Sequence, residues 1–281
     1  NIIRTESSGK TLLDINSLLS FDADGFTTGG SAFTNLSGNN YVAWNFSAEP
    51  GFFDIVTYDG DSNAGREIPH NLGSIPGMIL IKCISDDGTD GITAAWTVHH
   101  KSLPNTEILR LNTSDDPATS NHFHNTSPTD QVFTVGSGLW VNSSLGNRSY
   151  VAYLFADNPS NQIKCSSYLG NATGGGDPAV PNQIECGFRP KFVLIKNVNN
   201  DTNWHIFDDQ MDGKWLVANE LAQESFSTPQ ALQFNDTGFS LHTGYHHVNW
   251  DNAEHIYLAI GSPKTIISDT QLTLTDTTVS K

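Results

Sequence analysis

The chain has 281 residues, room for about two domains of ordinary size. Its formal net charge of −16 argues against a nucleic-acid partner and against an anionic membrane surface, because phosphate groups would be repelled. No apolar run approaches the roughly 18–20 residues of a spanning helix, so no membrane insertion is expected.

Only 37% of the residues are hydrophobic, and 24 are glycine. Asn, Asp, Ser and Thr crowd the gaps between short apolar runs, and no long stretch repeats at helical spacing. That pattern predicts an all-β protein with many turns. No signal peptide is visible and the first residue is Asn1, so an excerpt from a longer polypeptide is the expectation.

Residues 1–50 begin with Asn1–Glu6. The turn-and-strand Asp22–Thr27 follows, and the β-rich run Tyr41-Val42-Ala43-Trp44-Asn45-Phe46 closes the stretch. The same order returns in 51–158: Ile108–Asn112, Gln131–Val135, then Tyr150-Val151-Ala152-Tyr153-Leu154-Phe155. It returns again in 159–262 as Trp215–Asn219, Asp236–Leu241 and Ile256–Ile260. The tyrosines at 41, 150 and 257 lie 109 and 107 residues apart, about one domain's length of chain.

The two later copies also carry an opening half. Tyr58-x-Gly60 matches Tyr168-x-Gly170, Pro76–Lys82 matches Pro190–Lys196, and Trp96–His99 matches Trp204–Phe207. Each complete copy thus contains seven to eight short strands between turns, which predicts tandem antiparallel β-sandwich units with a partial unit at the N-terminus. The expected division is 1–50 (half-unit), 51–158 and 159–262 (complete units) and 263–281 (linker or extended tail). A half-unit cannot cover its own apolar face, so upstream chain or a neighbouring subunit is expected to do so.

Three cysteines, Cys83, Cys165 and Cys186, make no disulfide framework. In the repeat Cys165 replaces Ile55 and Cys186 replaces Leu72. Both therefore read as small buried hydrophobes, with a Cys165–Cys186 bridge as the alternative.

The succession Tyr58-x-Gly60, His70-Asn71-Leu72-Gly73-Ser74-Ile75-Pro76-Gly77-Met78-Ile79-Leu80-Ile81-Lys82, Trp96–His100 and Tyr150–Phe155 resembles a repeat of tail-fibre and other virion structural proteins of marine bacteriophages, especially those of cyanobacteria. The resemblance spans about residues 1–262 and departs at Ile260-Gly261, where Leu154-Phe155 stand in the previous copy. It implies a virion location on tail or capsid exterior, other virion proteins as partners, and a homo-oligomer, a trimer by analogy with fibres. It brings no site residue with it.

The sequence lacks a Gly-x-Ser-x-Gly elbow, a phosphate-cradling Gly-rich loop with Lys-Ser/Thr, and His-Glu-x-x-His, so no catalytic residue is assigned and no enzyme is expected. His122 and His124 are two apart, which on a strand would put both on one face for a shared metal; ordinary surface histidines are the competing reading. Asp86, Asp87 and Asp90 sit in an acidic turn of the oxygen-rich kind that calcium prefers, and otherwise read as solvated turn residues. No other cofactor is expected. Trp140 and Trp250 stand in polar segments ahead of the closing strands, beside His246 and His247 in the latter case. They are candidates for stacking on a host-surface glycan, or for packing against a loop. The functional expectation is a tail fibre or spike presenting repeats for host attachment. The alternatives are a capsid decoration or assembly module and a glycan depolymerase built on paired acids.

Overall fold

The computed structural model describes residues 2–9, 11–23, 25–85, 94–172, 177–227 and 230–262. The acidic stretch with Asp86, Asp87 and Asp90 and the expected tail 263–281 lie outside the described residues.

A hairpin of β1 (Leu18–Asp22) and β2 (Gly25–Thr28) comes first. Eight strands follow in 51–158: β3 (Phe53–Asp59), β4 (Arg66–Pro69), β5 (Pro76–Ser85), β6 (Thr97–His100), β7 (Glu107–Arg110), β8 (Ala118–Thr119), β9 (Val132–Val135) and β10 (Ser149–Ala156). Eight more lie in 159–262: β11 (Ile163–Leu169), β12 (Asn182–Glu185), β13 (Pro190–Asn197), β14 (His205–Asp208), β15 (Leu216–Val217), β16 (Leu232–Phe234), β17 (Gly238–Leu241) and β18 (Glu254–Gly261). One helical turn, α1 (His246–Asn249), and a 3-10 turn at Pro159–Asn161 complete the described elements.

Among the described residues all strand pairs are antiparallel. One large sheet runs β3-β10-β5-β6-β7-β8 and the other β11-β18-β13-β14-β15. The order is the same: the last strand of each stretch inserts between the first and the third. That placement explains the apolar runs. β10 and β18 are paired on both edges and covered on both faces, so Tyr150–Phe155 and Ile256–Ile260 read as continuous hydrophobic stretches rather than alternating ones. Smaller sheets, β4-β9 and β12-β17-β16, accompany the two large ones.

The Tyr-x-Gly signature has a physical cause. Tyr58 Oη donates to the Val141 carbonyl at 2.7 Å, and Tyr168 Oη donates to the Val248 carbonyl at 2.6 Å. Two residues on, Gly60 and Gly170 meet backbone: an added Cβ would stand 2.0 Å from the Ser143 oxygen and 1.9 Å from the Trp250 oxygen. Each contact is locked by a buried asparagine. Asn142 exchanges two hydrogen bonds with Asp61, and Asn249 exchanges two with Asn171.

One expectation is corrected. Tyr41–Phe46 forms no strand, and Tyr41 and Val42 are exposed. Its counterparts β10 and β18 each depend on two flanking strands, and the described residues among 2–40 contain no counterpart of β3 or β5, so the segment has no ladder to join there. It runs as an arm, with Phe46 against Phe53, Phe155 and Phe192. The cysteines follow the first of the two readings: Cys165 and Cys186 are free and buried, as is Cys83, and no bridge joins them.

Candidate functional site

The arm closes one side of a cleft of about 710 Å³, within the roughly 300–1,000 Å³ typical of small-molecule sites. The floor comes from strand register. Ile260, Phe192 and Asp208 lie in one row across β18, β13 and β14, so all three side chains rise from the same face. Trp44 and Phe46 of the arm meet Phe192 edge to face, with ring centroids 5.3 and 6.2 Å away. Lys191, Asp209, Gln210, Asn161 and Glu49 supply the polar rim.

Asp208 holds the cleft together. It is buried, its Oδ2 accepts the Trp44 indole Nε1–H at 2.9 Å, and its Oδ1 accepts the backbone N–H groups of Gln210 and Met211 at 2.9 and 3.0 Å. Asp209 pairs with Lys191 at 2.9 Å. Partial burial pushes Asp209 up, but the hydrogen bonds from Gln210 and Lys191 and the lysine's charge outweigh it, leaving the carboxyl below its usual value. The cleft therefore offers aromatic edges and faces beside fixed acceptors, an arrangement that suits a ligand with both C–H faces and hydroxyl donors.

In the first large sheet the equivalent row is Phe155, Met78 and His100. All three are buried, and the His100 Nε2 lies 3.2 Å from the Tyr257 carbonyl oxygen of the second sheet. Asp208 stands where the repeat has His100. That departure was the available signal for this site; it is visible only once the histidine and the aspartate are aligned.

The sequence candidates fall elsewhere. Trp140 is half-buried, its ring 5.1 Å from the Arg110 guanidinium and 5.3 Å from the His122 ring. His122 and His124 lie in a turn, with His124 and Asn125 at φ of 50° and 52°, so the alternation of a strand does not apply and the two do not share a strand face. Burial, with help from the Arg110 charge, pushes the His122 imidazole down to about 4. His246, His247 and Trp250 gather at α1. His246 and Trp250 are exposed and meet edge to face at 6.1 Å. His247 packs between Tyr245 at 4.5 Å and His205 at 4.6 Å, and burial first, then the neighbouring His205, His246 and Lys196, push it down to about 3. Among the described residues no group of three or more His, Cys, Asp or Glu is arranged to hold a metal ion.

A second constellation repeats. Trp96 Nε1 donates to the Arg4 carbonyl and Trp204 Nε1 to the Arg110 carbonyl, each at 3.0 Å. The buried Lys82 Nζ donates to the Ser8 carbonyl at 3.2 Å, and the buried Lys196 Nζ to the Ser114 carbonyl at 3.0 Å. Arg4 and Ser8 precede the first large sheet; Arg110 and Ser114 precede the second. Each sheet is thus seated on the stretch before it through the same pair of donors.

The class these features define is an all-β protein of antiparallel sheets in which one strand order and one seating contact occur twice. The chain belongs to the family described as a domain of unknown function, DUF7483, whose model matches residues 2–263. No curated protein and no solved structure matches it.

Proposed function

We propose that the chain is a non-enzymatic structural component of a phage virion, a tail fibre or spike built of β-sandwich units that attach to the host surface. The observation that carries this reading is the repeated seating of one sheet on the preceding stretch. A contact that recurs along a chain builds a stiff row from one interface, as fibres require. The packing supports two-layer units: Ile68, Phe133 and Val135 of the β4-β9 sheet share a core with Ile79, Ile81 and Ala152 of the large sheet. Ile184, Phe239 and Leu241 do the same with Val193, Ile195 and Tyr257.

The cleft of Trp44, Phe192 and Asp208 is the proposed attachment point, and a neutral host-surface saccharide is the ligand class its chemistry favours. Hydroxyls would donate to the acidic rim while a ring face lies on Phe192. Both aspartates there are already engaged, Asp208 with three donors and Asp209 with Lys191, which supports binding rather than hydrolysis. Weak single sites would gain from a symmetric homo-oligomer, for which a trimer is the form implied by the resemblance.

Exposed apolar side chains in the N-terminal stretch favour a second reading, an assembly or decoration module. Leu13, Ile15, Phe21 and Phe33 are 79%, 72%, 82% and 61% exposed, and such a surface suits coverage by a neighbouring virion protein. Immunogold labelling of particles of a marine phage that encodes the chain separates the readings. Label on distal appendages is the expected result. Label confined to the capsid establishes the decoration module instead, and unlabelled particles overturn a virion role.

A further inference from the structure

The acceptors of the repeated seat sit on a hairpin tip, and the described residues contain three such tips. The backbone bridges Ile2–Leu12, Ile108–Ala118 and Trp215–Ser225 each join residues ten apart. In the first tip the accepting carbonyls are Arg4 and Ser8, two and six residues beyond the bridge. In the second they are Arg110 and Ser114, again two and six beyond. The same count on the third tip gives Val217 and Leu221.

The third tip keeps the local build of the second. Asn112 Oδ1 accepts the Trp96 N–H and Asn219 Oδ1 accepts the Trp204 N–H, each at 2.9 Å, so both tips are braced from beneath in the same way. What differs is the cover. Leu221 is 82% exposed and Phe226, just past the bridge, is 75% exposed. Among the described residues no tryptophan or lysine side chain donates to the carbonyls of Val217 or Leu221.

We propose that the tip Val217–Gln223 is a docking seat for the Trp96–Lys82 face of a second copy of this chain, which it enters in place of that copy's own Arg4–Gly9 tip. The occupant follows from continuity with the internal interface: the seat presents the spacing of carbonyls that a Trp–Lys donor pair recognises twice within the chain, Trp96–Lys82 on the first tip and Trp204–Lys196 on the second. The exchange is favoured by support. The third tip extends from β15, which is laddered to β14 in a five-stranded sheet. Apart from the seat bonds themselves, the first tip is held by the single Ile2–Leu12 bridge, by Ile3 packed against the core, and by Thr11, which donates from N–H and Oγ1 to the Ile84 carbonyl. The resulting contact is heterologous, so copies add head to tail and the row has no built-in end. This inference goes beyond the virion reading and does not rest on it, because it concerns the purified chain.

The test is sedimentation of the full chain from about 10 μM to about 1 mM, since the intramolecular tip competes at a millimolar effective concentration. The wild type is expected to form dimers and higher rows at the upper end. Ile2→Asp, which loosens the competing tip, is expected to associate at concentrations at least about tenfold lower, the ratio by which the competitor's effective concentration falls. Leu221→Arg places a cation beside the incoming Lys82 ammonium and is expected to abolish association, and its exposed position leaves the monomer intact. A wild type that stays monomeric throughout, or a Leu221→Arg variant that associates as the wild type does, overturns the proposal. The comparison of those two proteins decides it even if Ile2→Asp does not fold. Particle labelling and saccharide binding can fail without touching this result, and the reverse.

Discussion

The indole of Trp204 reaches across to the carbonyl of Arg110 at 3.0 Å, and Trp96 makes the same bond to Arg4 at the same distance. Both tryptophans are buried, so each bond satisfies an N–H that has no water to turn to. Replacing Trp204 by Phe strips one bond and part of the packing while leaving the strand intact. A loss of about 1–3 kcal/mol is expected, the cost of an unsatisfied buried polar group. Denaturant titration of Trp204→Phe should show it as a lower midpoint. An unchanged midpoint would mean that the bond joins the two sheets without stabilising them.

The two Tyr-x-Gly turns make a sharper prediction. Gly170→Ala drives a methyl to within 1.9 Å of the Trp250 carbonyl oxygen, a backbone atom that cannot swing aside. Gly60→Ala does the same at Ser143. Each should cost at least about 2 kcal/mol, in the range of overpacked cores. Gly30→Ala, where an added Cβ meets nothing within 4 Å, is the matched control and should be near neutral. Thermal melts of the three variants provide the comparison.

Much of this architecture was legible in the sequence, and the reason is local. The strand runs at Pro76–Lys82, Pro190–Lys196 and Tyr150–Phe155 are apolar because they become interior strands, and their duplication at near-constant spacing marks the matching sheet order. The Trp96 and Trp204 equivalence was readable as well, but only as matching positions of the repeat. Nothing in the sequence says that their N–H groups aim at carbonyls 92 and 94 residues earlier. The cleft was hidden for a different reason. Trp44 and Phe46 read as strand residues, and whether they find a ladder depends on flanking strands that their own residues do not encode. The shared strand face expected of His122 and His124 is absent because a period of two has meaning only on a strand, and the backbone there turns.

Acid should destabilise the fold through its buried histidines. His99, His100 and His205 are buried, and burial pushes each imidazole from 6.5 down to about 4. Their surroundings offer little to a proton. His99 packs on Phe123, His100 faces the Tyr257 carbonyl with Lys101 and Asp157 nearby, and His205 meets His247, Trp215 and Tyr245 with Lys196 close. Above pH 6.5 these rings are neutral in both folded and unfolded chains, so they add no pH dependence. As pH falls from 6.5 toward 4 the unfolded chain takes up protons that the folded one refuses, and stability declines until the folded pKa is passed. Each ring contributes on the order of 2–3 kcal/mol across that window. Denaturant midpoints at pH 7.5 and at pH 4.5 should differ accordingly, and His205→Phe should flatten the slope. A wild-type midpoint that is flat between those values would contradict the burial of these rings.

The arm is held to the second sheet by one directed bond and a set of ring contacts, which makes its release separable from unfolding. Trp44→Phe deletes the Nε1–H that meets Asp208 Oδ2 at 2.9 Å. The carboxylate keeps the Gln210 and Met211 N–H groups on its other oxygen, so β14 loses no support. Phe46 still contacts Phe53, Phe155 and Phe192, so the arm is expected to loosen about Trp44 rather than detach. Limited proteolysis should then cut within 42–47 about tenfold to a hundredfold faster than in wild type, in keeping with the roughly 1.5–3 kcal/mol of a hydrogen bond to a charged group, while the melting temperature moves little. Asp208→Asn would behave differently: it keeps a side-chain oxygen but loses the charge that strengthens all three accepted bonds, so both the cutting rate and the melting temperature should respond. If Trp44→Phe lowers the melting temperature as much as Asp208→Asn does, the arm is part of the core and the cleft beneath it is a packing gap rather than a site.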